Sequence, residues 1–331
     1  MARLSSDPWS LRDTDFPARG ARAEQLKFVV RYAILAPSSR NTQPWQFGVE
    51  HDQIILHADM SRWQPVADPH KRDLYISLGC ALENLLIALE HFGFGHLVAY
   101  FPRPDDDSVA AQIAILDTPS VSSFRPAHLF KAITQRHTNH GRYLKRSVTT
   151  SVIRKLMDCQ TDWNLTLLLT QDIEIKQAVD KLLLKADAIA FSNPKYRDEL
   201  IECIGGGNFG GPWLLSVAQQ FAIAHLGVRK TVAKGDHAAL MSSPVFGLIS
   251  GQIVNSEEQL QAGALLERLY LTATSLGLCL QPVSQLLEIE EVKAPFSRLF
   301  RVGGVPLMPF RLGYADSARA TPRRPLEEVL L

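Results

Sequence analysis

Cysteine is scarce in this chain of 331 residues: Cys80, Cys159, Cys203 and Cys279 are its only four, and none stands in CxxC or Cys/His ligand spacing. That argues against a zinc site, an iron–sulfur cluster or a disulfide framework and suits a reducing cytoplasm. An excess of charge of either sign is also missing. Lys and Arg total 35 against 34 Asp and Glu, a formal net charge of +1, so nothing offers a nucleic-acid face or seeks an acidic partner. No run of about 18 apolar residues reads as a membrane span. Met1 to Gly20, with Asp7, Asp13 and Asp15 and no apolar centre, is not a signal peptide. The histidines are scattered without triad order, and no acid/base residue is assigned. What is present is a chain 46% hydrophobic and 21% charged, globular, with a sizeable core and length for about two domains.

Two segments resemble each other. Gly79 to Phe94 and Gly263 to Leu278 each open on Gly, carry Glu four residues later (Glu83, Glu267) and close on Gly followed by an apolar residue (Gly93, Gly277). Each reads as a long buried helix ended by a glycine able to turn left-handed. A candidate strand follows each, His96 to Phe101 and Cys279 to Val283. Upstream, a helix over Glu24 to Leu35 leads to strand Trp45 to Val49, and a helix over Ser151 to Met157 leads to strand Trp163 to Leu169. The offset is 263 − 79 = 184 at the helices but 163 − 45 = 118 at the strands, so the second copy carries about 66 extra residues between its strand and its long helix. These include a helix over Ile173 to Phe191 and glycine-rich Gly205 to Gly211. An insertion of that length near a site reads as a lid or an active-site wall.

Three polar segments occur once. Ser38-Ser39-Arg40-Asn41-Thr42-Gln43, between Pro37 and Pro44, sets hydroxyls and amides in a constrained turn. Asn and Gln amides each donate and accept, which matches the edge of a flat polar heterocycle; the same residues also suit an ordinary helix–strand connection. Arg136-His137-Thr138-Asn139-His140-Gly141-Arg142-Tyr143 and Thr321-Pro322-Arg323-Arg324-Pro325 offer guanidinium forks and hydroxyls for a phosphate, or solvated basic loops. Gly205-Gly-Gly207-Asn-Phe-Gly210 satisfies GxGxxG before a possible helix, Pro212 to Leu226. A dinucleotide-binding reading needs a strand before it and another after the helix, yet Lys195 to Leu200 is a poor strand and Val228 to Ala233 a weak one.

Together, SSRNTQPWQF, RHTNHGRY, the glycine-bounded helices and Arg311-Leu-Gly-Tyr314 with Thr321-Pro-Arg-Arg-Pro325 resemble the FMN-dependent nitroreductase family from Glu24 to the end. The tandem halves and Asp73-Leu-Tyr-Ile-Ser-Leu-Gly-Cys80 look most like its Acg-type branch, in which one chain imitates a homodimer. The resemblance implies an α+β fold of two nitroreductase-like halves, 1–125 and 126–331, with mainly antiparallel sheets flanked by helices in three layers and a lid at about 171–241. It implies FMN, with Ser38, Ser39, Asn41 and Gln43 approaching the ring and Arg136, Thr138, Arg323 and Arg324 the phosphate, His137 beside them. At His140 the family commonly has Lys or Arg, so either His140 or Arg142 fills that place. The implied activity is two-electron transfer from NAD(P)H through flavin N5 to a small nitroaromatic, quinone or similar acceptor, in a monomer or a homodimer. A flavin-sequestering role, a flavin-consuming benzimidazole synthase and an NAD-dependent Rossmann enzyme are the alternatives, and an interaction module without enzymatic activity is the plainest one.

Overall fold

A computed structural model of the chain describes residues 7–119, 122–161, 164–205, 229–300, 304–316 and 318–331. Trp163, most of the glycine-rich segment and the possible helix Pro212 to Leu226 lie outside them.

The described residues form two four-stranded antiparallel sheets of one topology. Strands β1 (Trp45–Glu50), β2 (Gln53–Ala58), β3 (Gly95–Tyr100) and β4 (Val109–Leu116) order as β1-β2-β4-β3. Strands β5 (Leu165–Thr170), β6 (Val245–Gly251), β7 (Cys279–Pro282) and β8 (Val305–Gly313) order as β5-β6-β8-β7. Each first strand follows a helix, α1 (Arg22–Ala33) or α4 (Thr150–Met157), and each third strand follows a long one, α2 (Arg72–His91) or α8 (Ser256–Ser275). The duplication legible in the sequence is therefore a duplication of fold. Short α3 (His128–Ile133) joins the halves.

The long helices end alike. Gly93 (φ +83) and Gly277 (φ +73) take the left-handed conformation, and the amides of Phe94 and Leu278 return to the carbonyls of Leu89 and Ala273 at 2.9 and 2.8 Å. These bonds satisfy carbonyls that a helix end leaves open. The helices cross at Gly79 and Gly263. A Cβ at Gly79 would collide with the Leu260 carbonyl and lie 2.9 Å from Gly263 Cα, and one at Gly263 would meet the Ile76 carbonyl. Only glycine allows this approach, and one continuous apolar core runs through both halves around it. Helix α2 is long and apolar enough to cross a bilayer, but 94% of its apolar window is buried inside the protein.

The extra residues of the second copy sit inside a hairpin. Strands β1 and β2 are joined by His51 and Asp52, whereas residues 171 to 244 separate β5 from β6. This insertion contains α5 (Ile173–Ser192), α6 (Pro194–Gly205) and α7 (Arg229–Ser242). Because Lys195 to Leu200 lies in α6 and Arg229 to Ala233 in α7, neither strand that a dinucleotide-binding unit requires is present there, and the Rossmann alternative falls. Helices α9 (Gln285–Glu288) and α10 (Glu290–Phe300) lie between β7 and β8, and after β8 the chain returns to the first half and ends with α11 (Leu326–Val329). Leu331 N–H donates to the Phe47 carbonyl at 3.0 Å, and Leu330 bridges Phe47 in parallel register.

Candidate functional site: a strained turn and an arginine grip

The Ser38 to Gln43 turn is held in an uncommon conformation. Arg40 (φ +47), Asn41 (φ +52) and Gln43 (φ +51) are all left-handed without being glycine. Each such residue costs on the order of 1 kcal/mol or more and persists only where its surroundings over-determine it. Ser38 supplies part of that constraint: its hydroxyl accepts from Gln43 N–H at 2.9 Å and its carbonyl from Asn41 N–H at 3.0 Å. Ser39 N–H donates to Ser77 Oγ at 3.2 Å, and Thr42 Oγ1 donates to the Ser39 carbonyl at 3.0 Å.

The C-terminal tail closes over the turn. Asn41 Nδ2 donates to the Pro322 carbonyl at 3.0 Å and Asn41 Oδ1 accepts from Arg323 Nη1 at 2.9 Å. Gln43, almost wholly buried, accepts from Arg324 N–H at 2.8 Å through Oε1. Arg324 also reaches the Gln43 carbonyl (3.1 Å) and Asp59 (3.3 Å).

Arg136 and Arg323 converge on the end of α1. Arg136 Nη2 donates to the Leu35 carbonyl at 2.8 Å, and Arg323 Nη2 donates to the carbonyls of Leu35 and Ala36 at 3.1 Å each. Helix-terminal carbonyls carry partial negative charge and favour cations. The Trp9 ring lies beneath both guanidiniums, 5.9 Å from Arg136 and 4.7 Å from Arg323, and Tyr270 faces Arg136 at 4.9 Å. Arg136 is 1% exposed, and burial next to it pushes the Arg323 pKa well below its ordinary value. Three single-copy segments far apart in sequence thus meet at one point.

The remaining predicted residues lie around this grip or outside it. His137 packs against Trp9 with ring centroids 4.5 Å apart; burial, with Arg136 and Arg323 nearby, pushes its pKa down to about 4, so it is neutral at pH 7. Thr138 hydrogen-bonds the buried Tyr270 hydroxyl. His140 instead faces β7, where its Nδ1 meets Gln281 Nε2 at 3.0 Å. Arg142 is exposed. The Asn139 to Gly141 backbone is clasped by Arg311, whose Nη2 donates to the Gly141 carbonyl at 2.7 Å; the sequence offered Arg311 only as part of a family pattern.

Arg40 had no assigned role in the sequence, yet it joins the turn to the insertion. Its guanidinium lies 3.4 Å from both Glu199 and Glu288 and 4.6 Å from the centre of the Tyr196 ring. Glu199 on α6 also accepts from the Val66 and Ala67 N–H groups at 2.9 and 3.0 Å, so the insertion is anchored to the first half beside the turn. On the same side Ser39, Thr42, Arg62, Asp68, Asp73 and Ser77 line a small recess with room for about one water molecule, about 10 Å³. Among the described residues no cluster of His, Cys, Asp and Glu could hold a metal ion.

No family model matches the chain. Over nearly its whole length it is nevertheless similar to proteins that carry the nitroreductase name. A Mycobacterium tuberculosis protein provisionally named as an NAD(P)H nitroreductase is 27% identical, with 96% of this chain and 93% of that protein aligned. A second from the same species, provisionally named NAD(P)H nitroreductase acg, is 24% identical over 92% of this chain and 94% of its own length. Among solved structures, the FMN-dependent nitroreductase NfnB from Mycobacterium smegmatis in complex with NADPH covers 61% of this chain and 96% of its own at 16% identity and a TM-score of 0.42. Over nearly its full length, then, the chain is similar to proteins that bear the nitroreductase name. The alignment to acg runs through both of its halves.

Proposed function

We propose that the protein binds FMN at the junction of its halves and acts as an NAD(P)H-dependent oxidoreductase on a small nitroaromatic, quinone or similar acceptor. The observation that carries this reading is the convergence of Arg136, Arg323 and the strained turn on the end of α1. The residues present fit a flavin phosphate. Arg136 Nε and Arg323 Nε are buried with no hydrogen-bond acceptor, and a buried donor left unpaired costs about 1–3 kcal/mol that an anion would recover. In this reading residues 126–331 supply the grip, residues 1–125 supply the turn, and the insertion at about 171–241 covers them.

FMN, when bound, supplies two-electron transfer between a nicotinamide and the acceptor. Arg136 and Arg323, with Thr138 and Arg324 beside them, hold the phosphate. Ser38, Ser39, Asn41 and Gln43 present hydroxyls and amides to the ring, and their fixed conformation means little ordering entropy is lost on binding. His137, neutral at pH 7, adds no competing charge.

The anchoring of α6 through Glu199 and Arg40 favours a second reading, a protein that sequesters flavin and turns over little. An anaerobic titration with NADPH separates the two. Bleaching of the bound-flavin absorbance supports the reductase, unreduced bound flavin supports sequestration, and a folded protein that binds no FMN removes both.

A further inference from the structure

The two long helices carry equivalent glutamates in unlike surroundings, and the difference points to a role for one of them. Glu83 on α2 and Glu267 on α8 are both completely buried. Each faces the residue that follows the other: Arg268 Nε donates to Glu83 Oε1 at 2.8 Å. The Asn84 amide, with its nitrogen turned toward α8, donates to Glu267 Oε1 at 3.0 Å and accepts from Ala36 N–H at 3.3 Å.

Glu83 is saturated. Arg125 adds two further bonds of 3.0 Å, so although burial alone would raise its pKa, Arg125 and Arg268 pull it down to about 2. Glu267 is not. Arg136 Nε forms an ion pair with Glu267 Oε1 at 3.4 Å but no hydrogen bond, and Glu267 Oε2, Arg136 Nε and Arg323 Nε are all buried without hydrogen-bond partners. Burial outweighs the pull of Arg136 and Arg323 and raises the Glu267 pKa to about 7. The groups that face it are Arg136 from the segment after α3, Arg323 from the tail, Cys80, Glu83 and Asn84 from α2, and Tyr270 from its own helix. The two guanidiniums spend their directed bonds on Leu35, Ala36, Asn41 and Thr321 rather than on this carboxylate.

We propose that Glu267 is a proton-linked positioning residue of the anion grip: it balances Arg136 and Arg323 while the grip is empty and takes up a proton when a phosphate ester binds there. This rests on the proposed FMN site. A phosphate dianion competes for the charge that keeps Glu267 ionised and repels its carboxylate, and both effects favour the protonated acid. The ester's own second ionisation, near pH 6, acts in the opposite sense, because arginines favour the dianion and its binding releases protons. Net uptake near neutral pH is therefore diagnostic.

The test is calorimetric titration of the cofactor-stripped full chain with FMN, and with riboflavin, at pH 7.5 in buffers of different ionisation enthalpy. The expected result is uptake of up to about one proton with FMN and none with riboflavin, since only FMN brings the charge that shifts Glu267. In Glu267→Gln the uptake disappears, and FMN binds about tenfold more tightly than to wild type at pH 8, the factor set by ionising an acid with a pKa near 7. FMN binding without proton uptake, equal uptake with riboflavin, or undiminished uptake in Glu267→Gln overturns the proposal while leaving the site intact. The wild-type comparison of FMN with riboflavin decides even if the variant fails to fold. Failure of the folded wild type to bind FMN overturns the site and this inference together.

Discussion

Replacing each of the paired glutamates by glutamine should change stability in opposite directions. Glu83 ionises near pH 2 in the fold and at about 4.3 in an unfolded chain, and at about 1.4 kcal/mol per pH unit the gap is worth about 3 kcal/mol. Its pKa is depressed by folding, so that stability is present above pH 4 to 5 and is lost as pH falls through 2. Glu83→Gln should cost about 3–5 kcal/mol at pH 8, because it leaves Arg125 and Arg268 buried against a neutral amide. For Glu267 the sign reverses. Its pKa is raised to about 7, so the protonated acid contributes stability below about pH 4 to 5 that is lost as pH rises through 7. Glu267→Gln removes a buried charge with an unpaired oxygen and should stabilise the cofactor-stripped protein by about 3–4 kcal/mol at pH 8 and by about half as much at pH 5.5, where less of the gap between about 4.3 and about 7 has been crossed. Urea denaturation of both variants at the two pH values measures this. Equal losses for the two at pH 8 would refute the assignment of different charge states to equivalent positions.

Three other substitutions test separate features. Gly79→Ala places a methyl group against the Leu260 carbonyl at the helix crossing and should lower stability by about 3 kcal/mol, above the roughly 1 kcal/mol expected of Gly93→Ala, where only a left-handed φ is strained; thermal melts compare them. Asn41→Ala removes the bonds to Arg323 and Pro322 and should weaken FMN binding about five- to tenfold with an unchanged circular dichroism spectrum, as loss of one to two hydrogen bonds implies. Glu199→Ala frees α6 from Arg40 and from the Val66 and Ala67 amides; hydrogen exchange should quicken across 194–205 while the urea midpoint barely moves.

The duplicated fold was legible because its signals are local. A glycine at the crossing, a glutamate one turn on and a glycine at the helix end recur at one spacing, since packing and helix termination each demand a particular residue. Strand and helix bounds followed to within a few residues for the same reason: β1 begins at Trp45 as expected, and α8 ends just before Gly277. Features set by distant contacts were not legible. The insertion could be counted and set between the second copy's strand and its long helix, but that it splits the β5–β6 hairpin depends on which strands pair. Arg40 looked like one polar residue of a turn, and only the approach of Tyr196, Glu199 and Glu288, more than 150 positions away, gives it a partner. The return of Leu330 and Leu331 to Phe47 is hidden for the same reason. The basic cluster divided in the fold, with Arg136 entering the buried grip and Arg142 remaining exposed, because one side of that segment faces α8 and the other faces solvent.

In the proposed function Arg136, Arg323 and the Ser38 to Gln43 turn form one flavin site. An ultraviolet–visible titration of the full chain with FMN, set beside the double variant Arg136→Ala/Arg323→Ala, tests it most directly. The expected result is saturable binding near one FMN per chain, with the shifted absorbance of an enclosed flavin, and its loss in a double variant that remains folded. FMN binding of undiminished affinity in that variant would contradict it.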